Sequence, residues 1–164
     1  MDKQAPTWKQ PSHPDKIEVI TGDKPYSTYA RSKISLPSGA LFTKITDFAP
    51  IDHDTYTTVA TSKDSRVELR SDLVYSNHSC DPIRVARDRP LAVGDTLTFF
   101  YPSTEWKMAQ PFQCECGAGV GRCLGFIAGA DSMDPEVLGR YWLNEHVKEQ
   151  VAEKRGLHPG RVRK

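Results

Sequence analysis

Up to Pro102, apolar residues alternate with polar ones in short runs, each broken by Gly, Pro, Ser or Asp. Ile17-Glu18-Val19-Ile20 is β-branched and loosely alternating, which predicts a first strand. Ile34 and Leu36 precede a Pro37-Ser38-Gly39 turn, and Ala40–Thr46 predicts a second extended piece after it. Thr55–Thr61 is rich in strand formers, and Ser65–Leu69 alternates as a half-buried strand does. Ile83–Ala86 predicts another short strand, followed by a connection over Arg89–Asp95 that closes on a Gly-Asp turn. The strongest strand signal is Thr96–Tyr101. A period of two places Leu97, Phe99 and Tyr101 on one face and Thr98 and Phe100 on the other. Pro102 ends the run because it has no N–H for a ladder.

Helical period begins only near the end of the chain. Asp134 as N-cap, Pro135 at the first helical position and Glu136 in the first turn predict one helix over 135–154. Leu138, Tyr141 and Trp142 make one apolar stripe on it, and Leu143, Val147 and Val151 another. The aromatic turn docks it on the β body, Gly156 caps it, and Pro159 lies beyond. Residues 1–15 place Pro6, Pro11 and Pro14 among polar residues with no hydrophobic period, which predicts a flexible leader. The expected organisation is leader 1–15, body 16–111, cysteine segment 112–129, helix 130–157 and basic tail 158–164. The tail reads either as a nuclear address or as an ordinary solvated terminus. Many short strands with Gly and Pro turns predict a mainly β domain.

The chain has 164 residues, enough for one buried core, and a formal net charge of +1. With no strong field to attract polyanions, neither direct nucleic-acid binding nor a membrane surface is expected. No apolar run approaches the length that spans a bilayer, and Met1–Pro6 lacks the apolar core of a secretory signal. A nuclear or cytoplasmic location with reduced thiols is therefore expected. In that setting the 4 cysteines bind metal or do chemistry more readily than they pair.

Those cysteines define the candidate chemistry. Ser76-Asn77-His78-Ser79-Cys80-Asp81-Pro82 reads as a sharp, non-helical segment bearing ligand-type side chains. Downstream, Cys114-Glu115-Cys116-Gly117-Ala118-Gly119-Val120-Gly121-Arg122-Cys123 supplies the other thiols, with glycines that let the backbone curl back to Cys123. Cys80, Cys114, Cys116 and Cys123 together match the four soft ligands of a closed structural zinc site. The other reading is four buried or free thiols.

Asn77–Pro82, Gly94-Asp95-Thr96-Leu97-Thr98-Phe99-Phe100-Tyr101 and Cys114-x-Cys116 with Cys123 resemble, in order and kind, a SET-domain protein with a post-SET zinc segment. This is the family of S-adenosylmethionine-dependent protein-lysine methyltransferases, and the likeness covers about residues 25 to 125. Phe99–Trp106 is similar to a small subgroup of compact fungal and bacterial members. The resemblance implies a mainly β fold of several small sheets with a knot-like crossing, a post-SET zinc loop and one C-terminal helix. It implies Tyr101 as the catalytic tyrosine, Asn77, His78, Tyr75 and Tyr26 as cofactor contacts, and the 4 cysteines as ligands of one zinc ion. The implied cofactors are S-adenosylmethionine and that zinc. The implied partner is a lysine of a peptide, a histone or another protein, or another amine, entering an aromatic channel for which Tyr75, Phe99, Phe100 and Trp106 are wall candidates. Tyr101 also has a plain reading as a packed core residue beside Leu97 and Phe99.

The chain departs from the family at several points. No glycine stands at Pro25-Tyr26-Ser27, where the family has Gly-x-Gly, and Ile83 replaces the asparagine that follows Asp-Pro. The interval from Cys80 to Tyr101 is shorter by about a strand and a turn, and that from Cys116 to Cys123 is slightly longer. Two readings follow: an active methyltransferase, or a degenerate scaffold that keeps zinc and serves as a binding module.

Overall fold

A computed structural model describes residues 6–82 and 89–156. The β-branched run Ile17–Ile20 forms β1 and pairs antiparallel with Tyr29–Ser32, β2, with Val19 opposite Ala30. Ile17 and Ala30 point inward and join Phe42, Leu91 and Leu97 in the first of three core clusters. A second sheet has the order β3-β5-β4, built from Phe48–Ile51 (β3), Thr58–Ala60 (β4) and Arg66–Leu69 (β5), all antiparallel. Pro50 is accommodated because β3 is an edge strand of this sheet.

Two expected strands are displaced. Residues 40–46 form no ladder: Phe42 is buried, but Leu41 and Ile45 are 61% and 50% exposed, so the run has no sheet face to cover. Thr55–Thr61 narrows to β4 because its hydroxyls bond locally. The Thr55 and Thr57 Oγ1 atoms lie 3.0 Å apart, and Thr58 Oγ1 donates to the Thr55 carbonyl at 3.1 Å. The strand expected over Ile83–Ala86 and the basic tail lie outside the described residues.

Asn77–His78 (β6) and Thr98–Phe99 (β7) form a parallel pair, with Asn77 opposite Thr98 and His78 opposite Phe99. The run from Thr96 to Tyr101 is thus divided between two partners. Its N-terminal part meets β2, where the Leu97 N–H donates to the Ala30 carbonyl at 2.8 Å. Its C-terminal part meets β6, and Tyr101–Ser103 then turns into a 3-10 segment. The period-two sorting persists: Leu97 is buried in the first cluster and Phe100 in the second. Phe112–Gln113 (β8) pairs antiparallel with Phe126–Ile127 (β9) and frames the third cluster, around the cysteines.

The single terminal helix expected over 135–154 is two helices. Pro135–Leu138 (α1) starts at Asp134, whose side chain accepts from the Glu136 N–H at 2.7 Å as the sequence implied. Glu145–Lys154 (α2) starts afresh at Asn144, whose own N–H donates to the Ser103 carbonyl at 2.9 Å. The break lets Tyr141 lie flat on Phe100, with ring centroids 3.7 Å apart and planes 10° from parallel. A continuous helix would carry that ring past its partner, so tertiary stacking overrides local helical preference. Among the described residues no helix is long and apolar enough to cross a membrane.

From Pro6 onward the proline-rich leader lies against the body. The Trp8 Nε1–H and Gln10 Nε2–H donate to Asp72 Oδ1 at 3.0 and 2.7 Å, and the Ser12 N–H donates to Oδ2 at 2.7 Å. Asp72 itself is 1% exposed.

Candidate functional site

The cysteine segment folds as its glycines require. Gly119 and Gly121 adopt φ of 86° and 80°, left-handed conformations that side-chain-bearing residues avoid. The Cys123 N–H then donates back to the Gly119 carbonyl at 3.0 Å, closing the loop. At its start, the Cys114 N–H donates to the Gly125 carbonyl at 2.7 Å, continuing the β8–β9 hairpin. Arg122 reaches Asp81 at 3.2 Å and ties the loop to the Asn77–Pro82 segment at the surface.

The sulfurs of Cys80, Cys114, Cys116 and Cys123 all lie within 4.8 Å of one another, so the structure brings together all the thiols that the sequence paired off. Zinc held by four thiolates at about 2.3 Å sets sulfur–sulfur separations of about 3.8 Å. The Cys80–Cys114 separation is 3.7 Å. Donor set and spacing fit a metal ion such as zinc. The electrostatics agree. Burial pushes Cys80 up to about 11 and raises Cys114 as well. Burial also opposes ionisation of Cys116, but backbone N–H donors and neighbouring thiols outweigh it and bring that group down to about 7. Crowded, buried thiolates need a cation to offset both desolvation and mutual repulsion.

His78 stands between this cluster and Tyr101. Its Nδ1 accepts the Tyr101 backbone N–H at 3.3 Å, which assigns the ring proton to Nε2, 3.3 Å from the Cys80 sulfur. Burial lowers the imidazole to about 4, so the ring is neutral. The His78 side chain is therefore occupied in bracing the cluster.

Tyr101 opens the 3-10 turn at the end of β7, and its hydroxyl donates to the Ser76 carbonyl at 3.4 Å. Burial pushes its phenol up to about 12. Its ring is walled by Phe99 at 4.7 Å, His78 at 5.4 Å and Phe112 at 6.1 Å between centroids. Of the wall candidates, Phe99 is at the tyrosine. Phe100 faces the other way, onto Tyr141, and Trp106 packs against the terminal helices. Phe112 was missed: it sits in a two-residue strand whose sequence carries no signal for a partner eleven residues upstream.

Asn77 donates from Nδ2 to the Thr28 carbonyl at 3.1 Å, linking the motif to the loop before β2. In that loop Tyr26 has φ of 61°, the left-handed region that favours glycine, at the place where the resemblance puts Gly-x-Gly. Its ring meets Tyr56 edge to face at 5.6 Å. Tyr75 is raised by burial, and the Asp72 charge and the Tyr56 phenol add to this, while a hydrogen bond with Gln10 opposes it. Of the predicted cofactor contacts, Tyr75 alone lines an open cleft of about 670 Å³ whose other wall is the leader; Asn77 reaches its edge through Thr28, and Tyr26, His78 and Tyr101 are not among its lining residues. A volume of this size suits a small-molecule ligand.

No family model matches the chain. Over 164 aligned residues it is 56% identical to Methyltransferase flvH of Aspergillus flavus, with 94% of this chain and 91% of that protein covered.

Proposed function

The chain belongs to the family of that Aspergillus flavus methyltransferase, and from this premise we propose that it is a SET-type enzyme transferring a methyl group from S-adenosylmethionine to an amine, foremost a protein lysine. The observation that carries the reading is the parallel pairing of Asn77–His78 with Thr98–Phe99, which sets Tyr101 beside the motif and against the Ser76 carbonyl. The thiol cluster is read as one structural zinc site that holds Cys80, and through it the Asn77–Pro82 segment, in place.

The fit to the cofactor rests on three features. Tyr26 holds a left-handed backbone, φ of 61°, at the place where the resemblance puts Gly-x-Gly. Asn77 is anchored through its Nδ2 to Thr28, which leaves the side-chain oxygen to accept from a bound ligand. Tyr75 and Thr28 border a cleft of about 670 Å³. In this reading Asn77, His78, Tyr75 and Tyr26 form the cofactor side of the site, His78 contributing through its backbone because its ring is engaged with Cys80 and Tyr101.

The cofactor's sulfonium supplies an activated methyl group when bound, so the protein's work is placement and charge control. Tyr101 keeps its proton through the neutral range, since burial raises its phenol to about 12. It donates that proton to the Ser76 carbonyl, which leaves oxygen lone pairs to accept an N–H of the incoming amine. The amine nitrogen is thereby turned to present its own lone pair. Phe99 and Phe112 exclude water around Tyr101 and favour the neutral amine, which is the nucleophilic form.

The test is transfer of an isotopically labelled methyl group to lysine peptides and to small amines. Tyr101→Phe is expected to reduce the rate about a hundredfold or more while cofactor affinity is kept, and Asn77→Ala to weaken cofactor binding first. Equal activity of wild type and Tyr101→Phe would remove Tyr101 from the mechanism. A wild type that binds no cofactor would leave the zinc-stabilised binding module as the function.

A further inference from the structure

Asp72 is a buried carboxylate that the reaction above does not use. It is 1% exposed, yet both of its oxygens are taken by one remote segment. Oδ1 accepts from the side chains of Trp8 and Gln10, at 3.0 and 2.7 Å, and Oδ2 from the backbone N–H of Ser12 at 2.7 Å. The bond is returned, because the Asp72 N–H donates to Ser12 Oγ at 2.8 Å. Three donors on a charged acceptor form a stronger tie than a surface ion pair. Burying a carboxylate is costly unless it is so compensated. A plain core position would be filled more cheaply by an apolar side chain, so the arrangement calls for a reason to hold this one segment.

The position of the segment supplies that reason. Gln10, Pro11 and Pro14 form one wall of the cleft of about 670 Å³, and Val19, Thr28 and Tyr75 belong to the opposite side. Gln10 bonds Asp72 with its amide nitrogen and lines the cleft together with Tyr75. The Trp8 ring meets the Tyr75 ring at 6.2 Å. Tyr75 is two residues before Asn77, and Thr28 accepts the Asn77 amide. Without the leader the cleft has no second wall, and Tyr75 loses two of its neighbours.

We propose that residues 8–14 are a strap completing the cofactor cleft, latched by Asp72, with Gln10 as the strap residue that faces the ligand beside Tyr75. The proposal rests on the reading that S-adenosylmethionine binds beside Asn77. The strap contributes a wall, and the latch keeps the binding-competent form populated; loosening the latch raises the apparent dissociation constant by the fraction of time the strap is away.

The experiment uses the full-length, zinc-loaded chain with S-adenosylmethionine as the probe. Hydrogen exchange is followed at the Ser12 amide, which donates to Asp72, and affinity is measured by calorimetry for wild type, Asp72→Asn, Gln10→Ala and Trp8→Phe. The expected result is slower exchange at Ser12 when cofactor is bound, and affinity weakened about tenfold in Asp72→Asn, whose amide group presents N–H to donors where an oxygen accepted them. Gln10→Ala removes one donor from Asp72 Oδ1, as Trp8→Phe removes the other, so the two are expected to lower the melting temperature alike; Gln10 lines the cleft and Trp8 does not, so Gln10→Ala is expected to bind several-fold more weakly than Trp8→Phe. That separation is what a merely structural tie would not produce, and it holds even if Asp72→Asn folds poorly. Wild type that binds cofactor with no change at Ser12, together with unchanged affinity in Gln10→Ala, would overturn the strap and leave the cofactor reading standing. No binding by wild type would overturn both.

Discussion

The backbone N–H of Tyr101 donates to Nδ1 of His78 at 3.3 Å, and the two rings meet edge on with centroids 5.4 Å apart. With its other nitrogen His78 faces the Cys80 sulfur at 3.3 Å, so one imidazole connects the thiol cluster to the candidate catalytic residue. Groups that contact metal ligands in this way orient them and are oriented by them. Stripping the metal with a chelator should therefore shift the ring resonances of Tyr101 in a tyrosine-labelled sample, and His78→Ala should produce the same shift with metal retained. Tyr101 resonances that ignore both changes would show that the two sites are independent.

Cys116→Ser should cost about 4 kcal/mol or more of stability and abolish stoichiometric metal binding, because loss of a metal site is among the few single changes with so large an effect. Elemental analysis of wild type is expected to find one zinc per chain, and thermal unfolding measures the rest. A metal-free wild type that melts where the metal-loaded protein does would remove the structural role assigned to the cluster.

Tyr141 ties the C-terminal helical segment to the Cys80 loop through its stacking on Phe100 and a hydrogen bond of 2.9 Å from its hydroxyl to the Cys80 carbonyl. Tyr141→Phe keeps the stack and should cost about 1 kcal/mol. Tyr141→Ala loses the ring too and should cost about 3–5 kcal/mol. Denaturant unfolding of the pair separates the two contributions. Equal losses would mean that the stacking contributes nothing.

Glu105 is raised above the usual carboxylate range because burial outweighs the hydrogen bonds it accepts from Ala60 N–H at 2.8 Å and Thr104 Oγ1 at 3.1 Å. A carboxyl with a raised folded-state pKa binds more protons in the native than in the unfolded chain. Stability from this group is therefore full below the unfolded value and falls as pH rises through the folded one. Glu105→Gln keeps an acceptor oxygen and removes the buried charge, so it should raise the melting temperature at pH 7. That gain should shrink as the pH is lowered below the unfolded-state value. A variant destabilised at pH 7 would show that the charge itself is needed there.

What could be read from the sequence followed from how local each signal is. The thiols were legible because Cys-x-Cys with a glycine-rich return leaves few geometries, and the structure gathers all the sulfurs within 4.8 Å. β1 and β5 were legible from β-branching and alternation, and the N-cap at Asp134 from its neighbours Pro135 and Glu136. The break before Asn144 was not, because it is set by a phenylalanine forty-one residues earlier on which Tyr141 stacks. Nor was Asp72, whose partners lie sixty or more residues upstream in a segment with no period of its own. Nor was the left-handed backbone at Tyr26, where φ is 61° although no glycine stands at Pro25-Tyr26-Ser27 to signal it.

The most direct measurement is a calorimetric titration of the folded, metal-loaded chain with S-adenosylmethionine. Saturable binding of one cofactor per chain is predicted, with the affinity lowered in Asn77→Ala and kept in Tyr101→Phe. A flat titration at about millimolar cofactor, a concentration that detects even binding worth only about 4 kcal/mol, would contradict the account.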